Sequence, residues 1–335
     1  MTTRRVAAID CGTNSIRLLI ADINSKTEGD IERTVGSTDG PAPLTDVARE
    51  MRIVRLGEGV DRTGRLSEAA LDRTMTALRE YAALIGEAGP EAIRMVATSA
   101  TRDAANAQEF TDRVVEVLGV APEVISGDAE ARLSFTGATR ELFGTALGTG
   151  ACAPPYLVTD IGGGSTEFVL GGPESVGEGG RVIGRSVNIG CVRLTERHLH
   201  TDPPRAAEIA ATTTDIDAAL QEAAASVPVA TARTLVGLAG SVTTVAAIAL
   251  GLPGYDSARI HHSRVSAARV HEIALELLAM TRAERAAIAV MHPGRVDVIG
   301  AGALILDRIM NHFGFAEVLV SEHDILDGIA WSLVP

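Results

Sequence analysis

Val158-Thr159-Asp160-Ile161-Gly162-Gly163-Gly164-Ser165-Thr166-Glu167 repeats, in altered form, an earlier stretch, Ala8-Ile9-Asp10-Cys11-Gly12-Thr13-Asn14-Ser15-Ile16-Arg17. Asp160 matches Asp10, Gly162 matches Gly12 and Ser165 matches Ser15. Each copy follows a strand-like apolar run, residues 6–9 and 156–159, and leads into another, residues 16–21 and 168–170. The unit reads as strand, acidic residue, glycine-bearing turn with hydroxyls, strand. Such a turn can aim backbone N–H groups and hydroxyls at a phosphate, while the aspartate is placed to hold a metal ion or a water. Two copies predict two similar domains facing one phosphate-bearing ligand.

Composition allows this. The 335 residues suffice for two domains with cores of their own. The chain is 46% hydrophobic but only 3% aromatic, so Ala, Val, Leu and Ile must build the core. No run approaches the ~18 apolar residues of a membrane helix. Residues 1–10 carry Arg4 and Arg5, but Asp10 interrupts any leader-type apolar run, so no membrane partner and a cytoplasmic location are expected. Cys11, Cys152 and Cys191 are too few and too scattered for a disulfide framework or a zinc site. A net charge of −13 disfavours nucleic acid as a partner. A polyanionic substrate then has to be met by local basic residues, metal ions and backbone dipoles.

Strand signals alternate with helical patterns, as in an α/β protein. Residues 6–10 and 15–22 form a predicted hairpin around the first turn, residues 24–45 a long polar loop, and a third strand falls within 48–56. Ser67 is the predicted N-cap of a helix to about residue 86, with Leu71, Met75, Leu78 and Ala82 on one face. A strand at 93–97, a helix at 106–118, a strand at 123–125 and a helix opening at 127 follow. Residues 144–155 read as a loop. The same order of elements then recurs after Tyr156. Later come a helix begun by Thr201-Asp202-Pro203-Pro204, a strand at 235–238 turning into a helix to 250, an apolar helix at 296–313, a strand at 318–320 and a last helix at 324–333.

Taken together, these residues resemble the Ppx/GppA family of exopolyphosphatases and guanosine pentaphosphate phosphohydrolases. Seven stretches in the family's order carry the resemblance: residues 10–15, Arg55-Leu56-Gly57-Glu58-Gly59, residues 97–106 (Ala-Thr-Ser-Ala-Thr-Arg-Asp-Ala-Ala-Asn), Ile125-Ser126-Gly127-Asp128-Ala129-Glu130-Ala131-Arg132, residues 160–167, Asn188-Ile189-Gly190-Cys191-Val192-Arg193-Leu194-Thr195-Glu196, and Arg295-Val296-Asp297-Val298-Ile299. The resemblance implies an α/β fold of two RNase H-like domains, of the actin-like or Hsp70-like ATPase superfamily, with a cleft between them. The expected limits are 1–130 plus about 314–335 for the first domain and 131–313 for the second, with a hinge near 126–135. It is the short, two-domain form that this chain resembles, without the C-terminal HD-type domain of the long members. The implied activity is Mg²⁺-dependent release of terminal phosphate from inorganic polyphosphate, short chains above all. Guanosine pentaphosphate is the alternative substrate, with a link to the stringent response. Mn²⁺ could replace Mg²⁺, and a homodimer is compatible with the family.

Phosphoanhydride hydrolysis needs donors around phosphoryl oxygens, a divalent cation, and a group that positions or deprotonates water. Thr13, Asn14 and Ser15, with Arg17, are the expected phosphate donors of the first turn, and Gly163, Gly164, Ser165 and Thr166 those of the second. Asp160 and Glu167 are the expected metal carboxylates, with Asp10 a third, since magnesium takes few carboxylates and keeps waters and substrate oxygens. By resemblance, Glu130 is the catalytic base; read alone it is an acid favouring the positive end of a helix. Arg102 is similarly the substrate-facing arginine, able to bridge two phosphoryl oxygens, and Arg295 a second of that kind. Gly240 and Ser241 open a helix whose N-terminus could meet the phosphate chain or a nucleotide. Glu58 is equally a turn residue.

Three rival readings remain to be weighed. Cys11 and Arg17 have the Cys-x5-Arg spacing of cysteine phosphatases, but residues 16–20 read as a strand where that chemistry needs a helix, and Ile161 replaces the cysteine in the second copy. A small-molecule kinase of the same superfamily would take its base from a segment other than that of Glu130. A non-enzymatic nucleotide-binding module would carry large insertions that this chain lacks. His261, His262, His292 and His323 lack metal-ligand spacing, and adjacent histidines in a strand would face opposite ways.

Overall fold

The structure is a computed structural model that describes residues 2–25, 44–142, 152–172, 175 and 181–334. The described chain divides into two compact units, Met1–Gly150 with Ile325–Pro335, and Ala151–Asp324.

The first unit is built on strands β1 (Thr2–Cys11), β2 (Ser15–Ser25), β3 (Leu44–Ile53), β4 (Ala92–Ala97) and β5 (Glu123–Val124) in the order β3-β2-β1-β4-β5. β1, β2 and β3 form an antiparallel meander, and β4 and β5 add in parallel. Alternation along β1 decides what each face buries. Ala7, Ile9 and Cys11 pack with Leu71, Leu78, Tyr81 and Phe110 of the helices Glu68–Ala88 and Ala107–Leu118. Val6 and Ala8 pack on the other face with Ile325, Leu326 and Ile329 of the helix Ile325–Trp331. Ser67 caps the helix Glu68–Ala88 as expected, its Oγ accepting from the Ala70 N–H at 3.3 Å.

The second unit repeats this plan with one strand more. Strands β6 (Tyr156–Ile161), β7 (Thr166–Gly171), β8 (Ile183–Val187), β9 (Thr234–Leu238), β10 (Arg264–Ser266) and β11 (Glu317–Val320) run in the order β10-β11-β9-β6-β7-β8. β6, β7 and β8 are the antiparallel meander, and β9 and β11 are the parallel pair. Every residue of β6, β7 and β9 is buried, including Thr159, Asp160, Thr166 and Glu167 at the ends of β6 and β7 that flank the turn. The helix Ile299–Phe313 is buried along most of its length.

The expected domain limits shift for identifiable reasons. The helix Gly127–Thr139 runs unbroken through the expected hinge and packs against Ile325–Trp331 within the first unit. A Cβ on Gly328 would lie 2.0 Å from the Leu133 carbonyl oxygen, so the two helices touch backbone to backbone. Residues 317–320 were expected in the first domain but form β11, an inner strand of the second sheet. Most of the loop expected at 24–45 and most of that at 144–155 lie outside the described residues; residues 24–25 and 44–45, expected in the loop, belong instead to β2 and β3, where they pair with neighbouring strands. Among the described residues no helix is long and apolar enough to cross a membrane.

Candidate functional site

In the first unit the chain leaves β1 at Cys11 and re-enters β2 at Ser15, and the Gly12 N–H closes the turn on the Ser15 carbonyl at 2.9 Å. The turn is held from outside by the segment after β3. The Thr13 carbonyl accepts from the Gly57 N–H at 2.9 Å, and the Asn14 carbonyl from the N–H groups of Val54 and Arg55 at 3.0 and 2.9 Å. A trans peptide is planar with its C=O and N–H opposed. Fixing those two carbonyls therefore turns the N–H groups of Asn14 and Ser15 away from the segment. Gly57 makes the approach possible, since a Cβ there would lie 2.3 Å from the Thr13 methyl carbon. The Thr13 and Ser99 hydroxyls share a hydrogen bond of 2.9 Å, and Asn14 Oδ1 is buried without a partner among the described residues.

Asp10 faces Arg17 across the β1–β2 ladder. The arginine donates to Asp10 Oδ2 from Nη2 at 2.6 Å and from Nε at 3.0 Å. Beyond β4 the short helix Ser99–Arg102 delivers Arg102, whose Nη1 donates at 3.0 Å both to the Ile125 carbonyl and to Glu130 Oε2. Glu130 is 7% exposed and stands in the first turn of the helix Gly127–Thr139, which Ser126 caps. The charge-assisted bond from Arg102 fixes the orientation of its carboxylate.

The second unit rebuilds the same turn on different supports. The Gly162 N–H closes it on the Ser165 carbonyl at 3.0 Å. The carbonyls of Gly162 and Gly163 accept from the first N–H groups of the helix Cys191–His198: Cys191 to Gly162 at 3.0 Å, Val192 and Arg193 to Gly163 at 2.9 and 3.0 Å. The Gly164 carbonyl accepts instead from a side chain, Arg193 Nε, at 2.6 Å. By the same planarity, the N–H groups of Gly163, Gly164 and Ser165 point away from that helix, and no acceptor meets them among the described residues. Successive N–H groups aimed one way make an anion cradle. Gly190 admits the helix, because a Cβ there would lie 2.4 Å from the Gly163 carbonyl. The Thr166 hydroxyl donates to the Ile189 carbonyl at 2.7 Å, and Ser165 is buried.

Asp160 and Glu167 face one another across β6 and β7, at the positions of Asp10 and Arg17 in the first unit. They are 8% and 1% exposed, and Glu167 Oε1 accepts from Ser186 Oγ at 2.7 Å. Two buried carboxylates at facing positions repel, and a divalent cation offsets that repulsion. An all-oxygen donor pair suits Mg²⁺ or Mn²⁺. These two residues fit the expected metal. Asp10 already has a guanidinium on Oδ2, which competes with a cation there.

Asp160 also lies beside Leu238 of the parallel β9, so the helix Ala239–Ala249 starts at the same end of the sheet as the glycine turn. Arg295 lies flat over that start: a Cβ on Gly240 would be 2.3 Å from its Nη2, and Nη1 donates to Thr244 Oγ1 at 3.0 Å. Ser241 is wedged against Gly302, where a Cβ would lie 2.2 Å from its Oγ, and it bonds the Cys191 thiol. Sequence reading thus finds residues that each unit assembles locally: Asp10, Thr13, Asn14, Ser15, Arg17, Arg102 and Glu130 in the first; Asp160, Gly163, Gly164, Ser165, Thr166, Glu167, Gly240, Ser241 and Arg295 in the second. It missed the supports, namely Gly57, Gly190 and Arg193. They sit inside quoted motifs, but nothing in the letters says that they hold another segment's carbonyls.

Two side readings resolve. Cys11 is fully buried, and burial, then the charge of Asp10, pushes its thiol pKa far up, which is the wrong direction for a nucleophile. The expectation that His261 and His262 face opposite ways fails. They follow the helix Ser257–Ile260, and a left-handed φ of 60° at His262 brings the two rings to 3.6 Å, with the His323 ring 4.5 Å from that of His261.

Comparison with known proteins gives the family. The sequence model of the Ppx/GppA phosphatase family matches residues 34–335. A Mycobacterium tuberculosis protein named exopolyphosphatase 2 is 48% identical, covering 99% of each chain. A guanosine-5'-triphosphate,3'-diphosphate pyrophosphatase of Aeromonas salmonicida is 28% identical over 98% of this chain and 59% of its own length. Among solved structures, an exopolyphosphatase-like protein superposes with a TM-score of 0.85 at 40% identity, covering 98% of each chain.

Proposed function

We propose that this chain, which belongs to the Ppx/GppA phosphatase family and is a phosphoanhydride hydrolase, releases terminal phosphate from inorganic polyphosphate in the cytoplasm. One observation carries the reading: the carbonyls of Gly162, Gly163 and Gly164 are all held by the helix Cys191–His198 and its Arg193 side chain, which leaves the N–H groups of Gly163, Gly164 and Ser165 without an acceptor among the described residues, in the turn that joins the strands of the buried Asp160 and Glu167. That arrangement suits a phosphoryl group whose charge is shared over three oxygens. Asp160 and Glu167 would hold Mg²⁺ or Mn²⁺, which when bound neutralises phosphoryl charge. Thr13, Asn14, Ser15 and Arg17 supply donors from the first unit, and Arg102 adds a guanidinium. Glu130 accepts a proton from the attacking water. The water oxygen bonds to the terminal phosphorus, the bridging P–O bond breaks, and the shortened chain leaves with the electron pair. The Arg102 bond aims Glu130, so base and arginine act as one positioned pair.

Short chains are the preferred substrate in this reading. Guanosine pentaphosphate is a second, supported by the Aeromonas salmonicida relative that bears the pyrophosphatase name. The test is phosphate release from tripolyphosphate, longer polyphosphate, guanosine pentaphosphate and ATP, with Mg²⁺ and with EDTA. Tripolyphosphate hydrolysis that stops in EDTA is expected. Glu130→Ala should fold normally and lose ~10²–10⁴-fold in turnover, the usual loss on removing a general base; full turnover in that variant overturns the assignment.

A further inference from the structure

The two turns differ in what holds the carbonyl that precedes their serine. In the first unit the Asn14 carbonyl is held by two backbone N–H groups, those of Val54 and Arg55. Its counterpart in the second unit, the Gly164 carbonyl, is held by the side chain of Arg193 through Nε at 2.6 Å. Arg193 also donates its backbone N–H to the Gly163 carbonyl at 3.0 Å, so one residue grips two consecutive peptides of the turn. The second of these is the Gly164–Ser165 peptide, whose other end is the Ser165 N–H. Glycine at 163 and 164 leaves this segment free of side-chain restraint, and glycine loses more conformational freedom on ordering than any other residue. What keeps that peptide plane from rotating must therefore come from outside the turn.

We propose that Arg193 is a positioning residue: through Nε it fixes the Gly164–Ser165 peptide and so aims the Ser165 N–H at the phosphoryl group. The inference rests on the reading that this turn cradles phosphate. A charge-assisted bond suits the role, being shorter and stronger than the neutral backbone bonds that serve the first turn. Arg193 itself points at a carbonyl, the opposite side of the peptide from the N–H it controls. Its effect on the reaction is thus exerted through the main chain.

The geometry separates the hydrogen bond from the charge. Glutamine places an N–H donor at the same position along the side chain as Arg Nε, without the charge, and methionine matches the stem with no donor. In the full-length protein, Arg193→Met should lower kcat on tripolyphosphate by roughly 10- to 100-fold. That is less than the ~10²–10³-fold typical of deleting an oxyanion donor, because the Ser165 N–H is misaimed rather than removed. Hydrogen exchange at Cys191 and Val192, whose N–H groups bond the Gly162 and Gly163 carbonyls, measured without ligand, should quicken in the same variant while exchange elsewhere is unchanged. Arg193→Gln should restore slow exchange and most of the turnover. Equal loss in both variants would mean that the guanidinium charge acts directly, and unaltered turnover in Arg193→Met, or loosened amides with unaltered turnover, would equally overturn the proposal. If Arg193→Met does not fold, Arg193→Gln alone still decides, since a loss of about tenfold or more in a folded Gln variant contradicts it. Failure of the underlying reading appears separately, as a wild-type protein that releases no phosphate from tripolyphosphate.

Discussion

The turn at residues 12–15 and the turn at 162–165 share a closing hydrogen bond, a matching aspartate and a supporting glycine, yet they carry opposite electrostatics. Across the ladder from its aspartate the first places Arg17, with the guanidinium bonded to the carboxylate. The second places Glu167, so that two acids stand side by side in a buried spot. One backbone design has thus been given two charge patterns by a single position. In the first copy a guanidinium of the chain itself bonds the carboxylate; in the second, two carboxylates face each other, the donor pair that the proposed cation would take. Their supports differ too: a loop backbone in one, a helix N-terminus and an arginine side chain in the other.

The sharpest way to break this contrast is to neutralise the two facing positions. Glu167→Gln should cut Mg²⁺-dependent phosphate release by ~10²–10³-fold, since a metal supplies several kcal/mol of charge stabilisation and each 1.36 kcal/mol is tenfold. Denatured in EDTA, the same variant should differ little from the parent, because glutamine keeps the Oε1 that accepts from Ser186 Oγ. Arg17→Gln should by contrast destabilise the protein in that EDTA titration by about 2–3 kcal/mol, having taken the guanidinium from the buried Asp10. Equal destabilisation by both changes would show that the copies do not differ as described.

The two supporting glycines give a second, smaller test. Gly190→Ala drives a methyl onto the backbone of Gly163, which cannot move without the turn, and should lower stability by about 3 kcal/mol. Gly57→Ala meets the Thr13 methyl, the end of a side chain that can yield, and about 1–2 kcal/mol is expected. Chemical denaturation of the two variants measures the difference, and a reversed order would mean the first turn is the more tightly held.

A smaller effect of pH is expected in the second unit. His292 Nδ1 accepts from the Gly294 N–H at 3.1 Å in the turn that carries Arg295. Burial, then the charge of Arg295, holds its imidazole below the ordinary value. The folded state therefore disfavours the protonated ring. This contribution to stability is present above the ordinary histidine pKa and is lost as pH falls through it toward the lowered folded value. A modest acid-side fall in Tm is expected between neutral pH and the region below that value, and His292→Gln should flatten it. Least of all should come from Cys11→Ser, which must keep its turnover on tripolyphosphate, since the buried thiol takes no part in the reaction as proposed.

Much of this was legible in the letters. Apolar runs around a glycine turn gave both hairpins, Ser67 gave its helix start, and the duplication gave two units of one plan. Each of these depends on neighbours a few residues apart. What was not legible depends on distant backbone. Nothing in the sequence shows that the helix Cys191–His198 docks on residues 162–164, because the bonds are made by N–H and carbonyl groups that every residue carries. Residues 318–320 read correctly as a strand, but which sheet it joins is a matter of pairing with β9. The histidine pair misled because one positive φ at His262 cancels the alternation a strand would impose.

Main-chain amides held in place before any ligand arrives read only oxygen geometry and negative charge. They cannot tell a terminal phosphoryl group on a long chain from the free orthophosphate that the reaction leaves behind. In the proposed reaction, product and substrate therefore compete for the same three N–H groups of Gly163, Gly164 and Ser165. On that reading, inhibition by accumulating orthophosphate, relieved as it is drawn off, follows from the backbone of the turn itself.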